Sequence, residues 1–144
     1  MGLNRSLIYL DACIIIYFIE EHPLLGDSVR QAIEKAPDQK FCVSPLVELE
    51  CLVVLLRTGN HRLVAHYETF FNTQAMLTMD AQVYRLAAEL RAHHRLKTPD
   101  ALHLATAQSH GCTEIWTNDN RLNSAAGSMS SVNLFASIRQ DPPI

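Results

Sequence analysis

The sequence predicts an α/β chain folded as a three-layer α/β/α sandwich around a central parallel sheet of four to five short strands. Three observations predict it. Short runs with no charged residue, such as Leu7-Ile8-Tyr9-Leu10, suit strands buried on both faces, the habit of parallel sheets. These runs alternate with longer segments of helical spacing, the pattern of repeated β-α-β units. The 144 residues, 48% of them hydrophobic, lie near the commonest domain size, so a single domain over residues 1–144 with one core is expected.

Leu7-Ile8-Tyr9-Leu10 is the first strand, and Asp11 stops it. Ala12 to Glu21 reads both ways: three consecutive isoleucines favour a strand, whereas the length and Glu20-Glu21 allow a short helix, closed by Pro23. Leu25 to Ala36 has helical spacing at Leu25, Val29, Ala32, Ile33 and Ala36, and Pro37-Asp38 ends it. Lys40-Phe41-Cys42-Val43 is the second strand. Ser44-Pro45 then opens a helix, with Ser as N-cap and Pro at the first helical position, running to about Arg57 before Thr58-Gly59-Asn60. A further helix covers about Arg62 to Thr73. Met76-Leu77-Thr78-Met79 reads as the third strand, and Asp80 caps a helix through His94 with Val83, Leu86, Ala87 and Leu90 on one face. Thr98-Pro99-Asp100 starts the last helix, which ends at Gly111. Glu114-Ile115-Trp116-Thr117 is the fourth strand and Val132-Asn133-Leu134 a fifth.

Composition removes several classes of function. The longest apolar run, Ala12 to Ile19, has 8 residues, against roughly 20 needed to cross a bilayer. Met1-Gly2-Leu3-Asn4-Arg5-Ser6 fits only the loose myristoylation pattern, and one acyl chain anchors poorly. Leu7 to Ile19 is no secretion signal, because Asp11 interrupts it and no small-residue cleavage site follows. Cys13, Cys42, Cys51 and Cys112 lack C-x-x-C spacing and sit among apolar neighbours, so they read as four buried thiols in a reducing compartment. A cytoplasmic protein with no membrane contact is expected. Its net charge of −3, from 12 Lys+Arg and 15 Asp+Glu, gives no basic excess of the kind nucleic-acid binders usually show.

The acids nevertheless fall into a pattern. Asp11 ends the first strand, Asp119 follows the fourth by two residues, Asp100 stands in the first turn of a helix, and Glu50 lies two turns into the helix after the second strand. Strands of a parallel sheet all point one way, so these positions gather at its carboxyl edge, where α/β sheets bind ligands. Two unit charges 4 Å apart repel by about 4 kcal/mol at an effective dielectric near 20. A divalent cation offsets that cost, and carboxylate oxygens suit Mg²⁺ or Mn²⁺. Each acid also has a plainer use: Asp11 as a helix cap, Asp100 at a helix dipole, Glu50 on a solvent face, Asp119 in turn chemistry.

Four blocks in order resemble the PIN-domain ribonucleases, and within them the VapC-type toxins of bacterial toxin–antitoxin pairs. They are Ile8-Tyr9-Leu10-Asp11-Ala12, Ser44-Pro45-Leu46-Val47-Glu48-Leu49-Glu50, Thr98-Pro99-Asp100-Ala101-Leu102-His103-Leu104-Ala105 and Thr117-Asn118-Asp119. The resemblance spans nearly the whole chain and implies a PIN-like fold. By position, Asp11 matches the family's first acid, Glu50 the second in a Ser-x-x-x-x-x-Glu pattern from Ser44, Asp100 the third and Asp119 the fourth, with Thr117 as the hydroxyl residue beside it. Asn120-Arg121-Leu122 departs from the family, where an aromatic commonly follows the last Asp. The resemblance implies a metal-dependent endoribonuclease, usually a homodimer, inhibited by a cognate antitoxin whose tail enters the cleft.

On that reading Asp11, Glu50, Asp100 and Asp119 hold one or two Mg²⁺ or Mn²⁺ ions, and Thr117 orients a carboxylate or a water. Glu48 rivals Glu50, but two positions apart on a helix they point about 200° apart, so only one faces the site. His103, one turn after Asp100, reads as a packed histidine ahead of a metal or acid–base role; His93-His94 suit a helix dipole. The alternatives are another metal-dependent phosphohydrolase, although Asp11-Ala12-Cys13 lacks a D-x-D pair, or a non-catalytic binding module. Val53, Val54, Phe70 and Phe71 either meet a dimer mate or an antitoxin helix, or complete the core. One or two bound divalent ions would move the formal charge from −3 to −1 or +1, so RNA affinity should depend on metal, with Arg57, Arg62, Arg91, Arg95, Lys97 and Arg121 as candidate phosphate contacts.

Overall fold

The structure is a computed structural model that describes residues 6–127 and 129–134, with only the backbone of Arg121 and Ser124. The myristoylation-like Met1–Arg5 stretch and the chain ends of the expected 1–144 domain lie outside the described residues. Strand β1 (Leu7–Leu10) leads to helices α1 (Ala12–Ile19) and α2 (Gly26–Glu34), then β2 (Lys40–Val43). Helices α3 (Pro45–Thr58) and α4 (His61–Asn72) lead to β3 (Ala75–Met76). Helices α5 (Ala81–His94) and α6 (Thr98–Ser109) precede β4 (Glu114–Thr117), a 3-10 turn (Asn120–Ala125) and β5 (Ser130–Asn133). All strands run parallel in the order β3-β2-β1-β4-β5.

β1 is the centre of the sheet. Tyr9 pairs with Cys42 of β2 on one side and Ile115 of β4 on the other, and Ile8, Tyr9 and Leu10 are buried. Such a strand has no solvent face, which is why its sequence does not alternate. The chain builds outward from β1 through β2 to β3, then returns to place β4 and β5 on the other side. Right-handed crossovers put α1–α4 on one face and α5–α6 on the other. The helix packing agrees: α1 packs on α2 and α3, α3 on α4, and α5 on α6.

The ambiguous Ala12–Glu21 segment is a helix. Asp11 is extended and accepts the Ala12 N–H at 2.7 Å, while its own carbonyl accepts from Ile14 at 3.1 Å, so the turn begins before the isoleucines can extend. Ile14 and Ile15 then enter the core. The third strand differs from the expected Met76–Met79. It pairs Cys42 with Ala75 and Val43 with Met76, and stops because β2 ends where Ser44-Pro45 turns into α3. Beyond the Leu77 N–H bond to Val43 O, Thr78 and Met79 have no strand to join. The fifth strand begins at Ser130, two residues before the expected start.

α6 is the most buried helix: every residue from Ala101 through Ala107 lies in the interior. A helix apolar all round belongs in an interior, and the titratable exception in this run is His103. Phe71 is in the core and Phe70 half-buried against it, whereas Val53 and Val54 are exposed, so the four apolar candidates divide between core and surface. Cys42, Cys51 and Cys112 are buried free thiols and Cys13 is half-buried. The Sγ atoms of Cys42 and Cys112 lie 3.5 Å apart.

The α1–α2 corner has one position that only glycine fits. A Cβ on Gly26 would lie 2.9 Å from the Tyr17 carbonyl oxygen and 3.3 Å from the Glu21 carbonyl carbon, both backbone atoms that cannot swing aside. Gly26→Ala should therefore lower stability by about 1–3 kcal/mol. Urea unfolding of the two proteins checks this, and an unchanged midpoint would show that the corner is loosely packed.

Candidate metal centre at the sheet edge

The strand order reverses between β1 and β4, and the crevice beyond their carboxyl ends is the place where α/β sheets hold ligands. Asp11 and Thr117 meet there. The Asp11 N–H donates to Trp116 O at 3.0 Å, which carries the β1–β4 ladder to its last rung. The buried Thr117 hydroxyl donates to Asp11 Oδ2 at 2.9 Å, while Asp11 Oδ1 accepts from Ala12. Both carboxylate oxygens are thus oriented. The Asp119 N–H donates to Thr117 Oγ1 at 3.2 Å and holds the following turn against the same hydroxyl.

Glu50 arrives from α3. Ser44 caps that helix through the Val47 N–H, and Val47, Cys51 and Leu55 turn inward at four-residue spacing. Glu50 then projects toward α6, where the Nε2–H of His103 donates to its Oε1. Glu48 points elsewhere, into a groove with Leu49, Leu52 and Val53. The donor atoms of Asp11, Glu50 and His103 lie within 4.8 Å of one another.

Behind this cluster runs a line of buried polar groups. His103, 3% exposed, bonds through Nδ1 to the Tyr9 hydroxyl at 2.6 Å, and that hydroxyl bonds to Ser44 Oγ at 2.7 Å. With a neutral ring the line has one consistent direction: Ser44 O–H to Tyr9, Tyr9 O–H to Nδ1, and Nε2–H to Glu50. Burial keeps the Tyr9 phenol well above its ordinary pKa, so it remains a neutral donor. Burial pulls the His103 pKa down, but the Glu50 hydrogen bond and the charges of Asp11, Glu50 and Asp100 outweigh it, and the net shift is upward. Burial and the Asp11 charge push the Cys13 thiol up to about 12, and burial also raises Cys51, so neither is a thiolate near neutrality.

Asp100 stands one turn before His103 on α6, close enough for its charge to act on the imidazole. Its carboxylate and that of Asp119 do not join the group of three donor atoms. Arg57 lies seven residues past Glu50, about 10 Å along the axis of α3, and Arg62 is in the first turn of α4. Arg91 bonds through Nε to Leu96 O at 3.0 Å and braces the α5–α6 connection. Arg95 and Lys97 are exposed beside Asp100, and the Arg121 side chain lies outside the described residues. Sequence reasoning missed Tyr9 and Ser44, read as a core residue and a helix cap, and ranked His103 as packing. The signals were present: a tyrosine inside an apolar strand, a serine at a strand end and a histidine one turn from an aspartate.

The donor set fits a hard divalent cation. Two carboxylate charges no more than 4.8 Å apart repel by at least about 3.5 kcal/mol at an effective dielectric near 20. His103 already spends its Nε2–H on Glu50, so the oxygens are the free ligands, and oxygen ligands suit Mg²⁺ or Mn²⁺.

A raised histidine pKa has a definite sign for stability. The imidazolium gains from the neighbouring acids, so this contribution is complete below the ordinary value of about 6.5 and is lost as pH rises through the higher folded value. In EDTA, the stability advantage of the wild type over His103→Gln should shrink between about pH 5.5 and pH 8.5. Urea unfolding at the two pH values measures it; an advantage that grows with pH would contradict the assignment.

Comparison with known proteins follows the same lines. A sequence model of the PIN domain family matches residues 8–128. No curated protein matches the chain. Among solved structures, a toxin–antitoxin complex from Klebsiella pneumoniae is 23% identical, with a TM-score of 0.69 over 88% of this chain and 97% of that one. VapBC2 from Rickettsia felis, bound to a DNA fragment from its promoter, is 17% identical, with a TM-score of 0.73 over 88% and 98%. The Mycobacterium tuberculosis VapC20, described as a sarcin–ricin loop cleaving toxin, is 18% identical, with a TM-score of 0.69 over 83% and 95%. At these identities the likeness is one of fold, while the match to the family over residues 8–128 makes this chain a member of the PIN domain family.

Proposed function

We propose that this protein is a metal-dependent endoribonuclease that cleaves RNA phosphodiester bonds, and that it is the toxin of a VapBC-type toxin–antitoxin pair. The observation that carries the proposal is the meeting of Asp11, Glu50 and His103 at the switch point of a PIN-family sheet. The fold is shared with toxins of that kind, one of them described as cleaving the sarcin–ricin loop. We read residues 1–144 as one domain working in the cytoplasm; among the described residues no helix is long and apolar enough to cross a membrane.

In this reading Asp11 and Glu50 are the principal ligands of Mg²⁺ or Mn²⁺, with Asp100 and Asp119 completing the acidic site from the start of α6 and the turn after β4. A divalent ion held there supplies charge stabilisation to the phosphate and lowers the pKa of a water it binds. The protein's own part is orientation. Thr117 and the Ala12 N–H fix the Asp11 carboxylate, and His103, braced by Tyr9, fixes Glu50. His103 is a positioning residue, because its Nε2–H is committed to Glu50.

The partners are RNA, a cognate antitoxin and a second copy of the chain. Support for a protein-facing surface comes from α3, where Leu49 and Leu56 are each 60% exposed and Val53 and Val54 lie beside them. A contiguous apolar helix face of this kind marks interaction surfaces. We place the homodimer contact there.

Asp11→Asn should fold normally and lose Mn²⁺ binding by calorimetry together with at least about 100-fold of RNA cleavage. Cleavage retained at the wild-type rate would remove Asp11 from the site, and failure of the wild type to bind Mn²⁺ above millimolar affinity would favour a non-catalytic module. Light scattering at micromolar concentration should give twice the chain mass for the wild type and the chain mass for Val53→Glu combined with Leu56→Glu. A monomeric wild type would free the α3 face for another partner.

A further inference from the structure

A cavity at the junction of α5 and α6 has no part in the arrangement above. Its volume is about 280 Å³, and His94, Arg95, Leu96, Lys97 and Asp100 line it. Leu96 is buried, and its carbonyl is held by Arg91, so the connection is anchored. His94, Arg95 and Lys97 are exposed, and among the described residues none of the three makes a side-chain hydrogen bond or ion pair. Two permanent cations therefore face one carboxylate, in a chain whose net charge is −3.

The backbone does not explain the arginine. Arg95 ends α5 with φ 54° and ψ 34°, the left-handed conformation in which helices usually place glycine. A residue with a Cβ costs about 1–2 kcal/mol there. A cationic side chain suits the negative end of α5, and it leaves the guanidinium in the lining of the cavity. The start of α6 meets the same cavity through Lys97 and Asp100 and has no side-chain cap, so its positive end offsets the negative end of α5 and leaves the Arg95 and Lys97 charges to set the local field. Asp100 belongs to both places, since it lines the cavity and its charge reaches His103 one turn away.

We infer that this cavity is a phosphate subsite: Arg95 and Lys97 grip the RNA backbone on the Asp100 side of the acidic centre and hold the strand against it. The inference rests on the nuclease reading and adds to it the place where the substrate's flanking phosphate docks. An acidic centre repels a polyanion until a cation is bound, so a cationic anchor beside it supplies affinity that the centre lacks. Phosphate contacts position a strand without reading its bases, so the subsite acts alike on every sequence.

The test uses the full chain and a short fluorescein-labelled single-stranded RNA of mixed sequence, with anisotropy read in Ca²⁺ and in EDTA across a salt series. Arg95→Gly with Lys97→Gln should raise Kd about tenfold and lower the slope of log K against log salt by about 0.7 for each phosphate that is no longer neutralised. Lys35→Gln with Lys40→Gln removes the same charge at the opposite sheet edge and should change neither. Arg95→Gly alone should be at least as stable as the wild type in urea, because glycine suits the left-handed turn, so weaker binding would not come from unfolding. Equal affinity and slope in the wild type and the Arg95/Lys97 variant overturn the subsite, as does an equal loss in the Lys35/Lys40 variant. A variant that loses affinity while the wild type cuts no RNA with Mn²⁺ would keep the subsite and sink the nuclease reading. A wild type that binds no RNA overturns both.

Discussion

One rung of the β-ladder governs this molecule: the hydrogen bond from the Asp11 N–H to Trp116 O, where β1 and β4 run out side by side. Parallel strands deliver all their carboxyl ends to one edge, and the reversal of strand order at this pair opens a crevice between helices that lead away in opposite senses. Asp11 enters that crevice because β1 ends one residue before it, and Thr117 reaches it because β4 ends beside β1. Everything else at the site is arranged around this pair: the cap that starts α1, the α3 glutamate, the α6 histidine and the turn carrying Asp119.

The second constraint is electrostatic. Crowding carboxylates at a partly buried edge is unfavourable without a counter-charge. The fold places a hydrogen-bond donor among them in His103, whose imidazole bonds to Glu50 and lies 3.8 Å from Asp11. Tyr9 and Ser44 fix that ring from behind, and all three are buried in the interior between β1, α3 and α6. A buried histidine with both nitrogens satisfied is inexpensive to hold, and it keeps Glu50 aimed whether or not a cation is present. Stability and the proposed chemistry are therefore coupled through the same hydrogen bonds.

Charge distribution has a comparable logic at larger scale. Four of the 15 acids are assigned to the place where a cation is proposed to bind, and Arg95 and Lys97 line a cavity with one of them, Asp100. A chain can be acidic on average and still present a polyanion with a favourable local field, because screening confines each charge to about 8–10 Å. Among the described residues, four of the exposed large apolar side chains, Leu49, Val53, Val54 and Leu56, lie on α3, the helix that brings in Glu50.

The sequence by itself determined the fold class, the parallel sense of the sheet and most element boundaries, because those depend on local pattern: unbroken apolar runs for central strands, Ser44-Pro45 and Asp80 for helix starts, Gly59 for a helix stop. Strand direction also puts Asp11, Thr117 and Asp119 at one sheet edge, whereas the meeting of Glu50 with Asp11 depends on how α3 packs. Tertiary structure decided what strand direction leaves open. It made a helix of the isoleucine run, because Asp11 takes the Ala12 N–H, and it shortened β3, because β2 ends at Val43. It split the surface candidates, burying Phe71 and exposing Val53 and Val54. It also joined Tyr9, Ser44 and His103, residues separated by 35 and 94 positions, into one buried line. Local pattern reports which residues are buried; which buried polar groups touch depends on the packing of whole helices and strands, and that is settled only when the chain closes on itself.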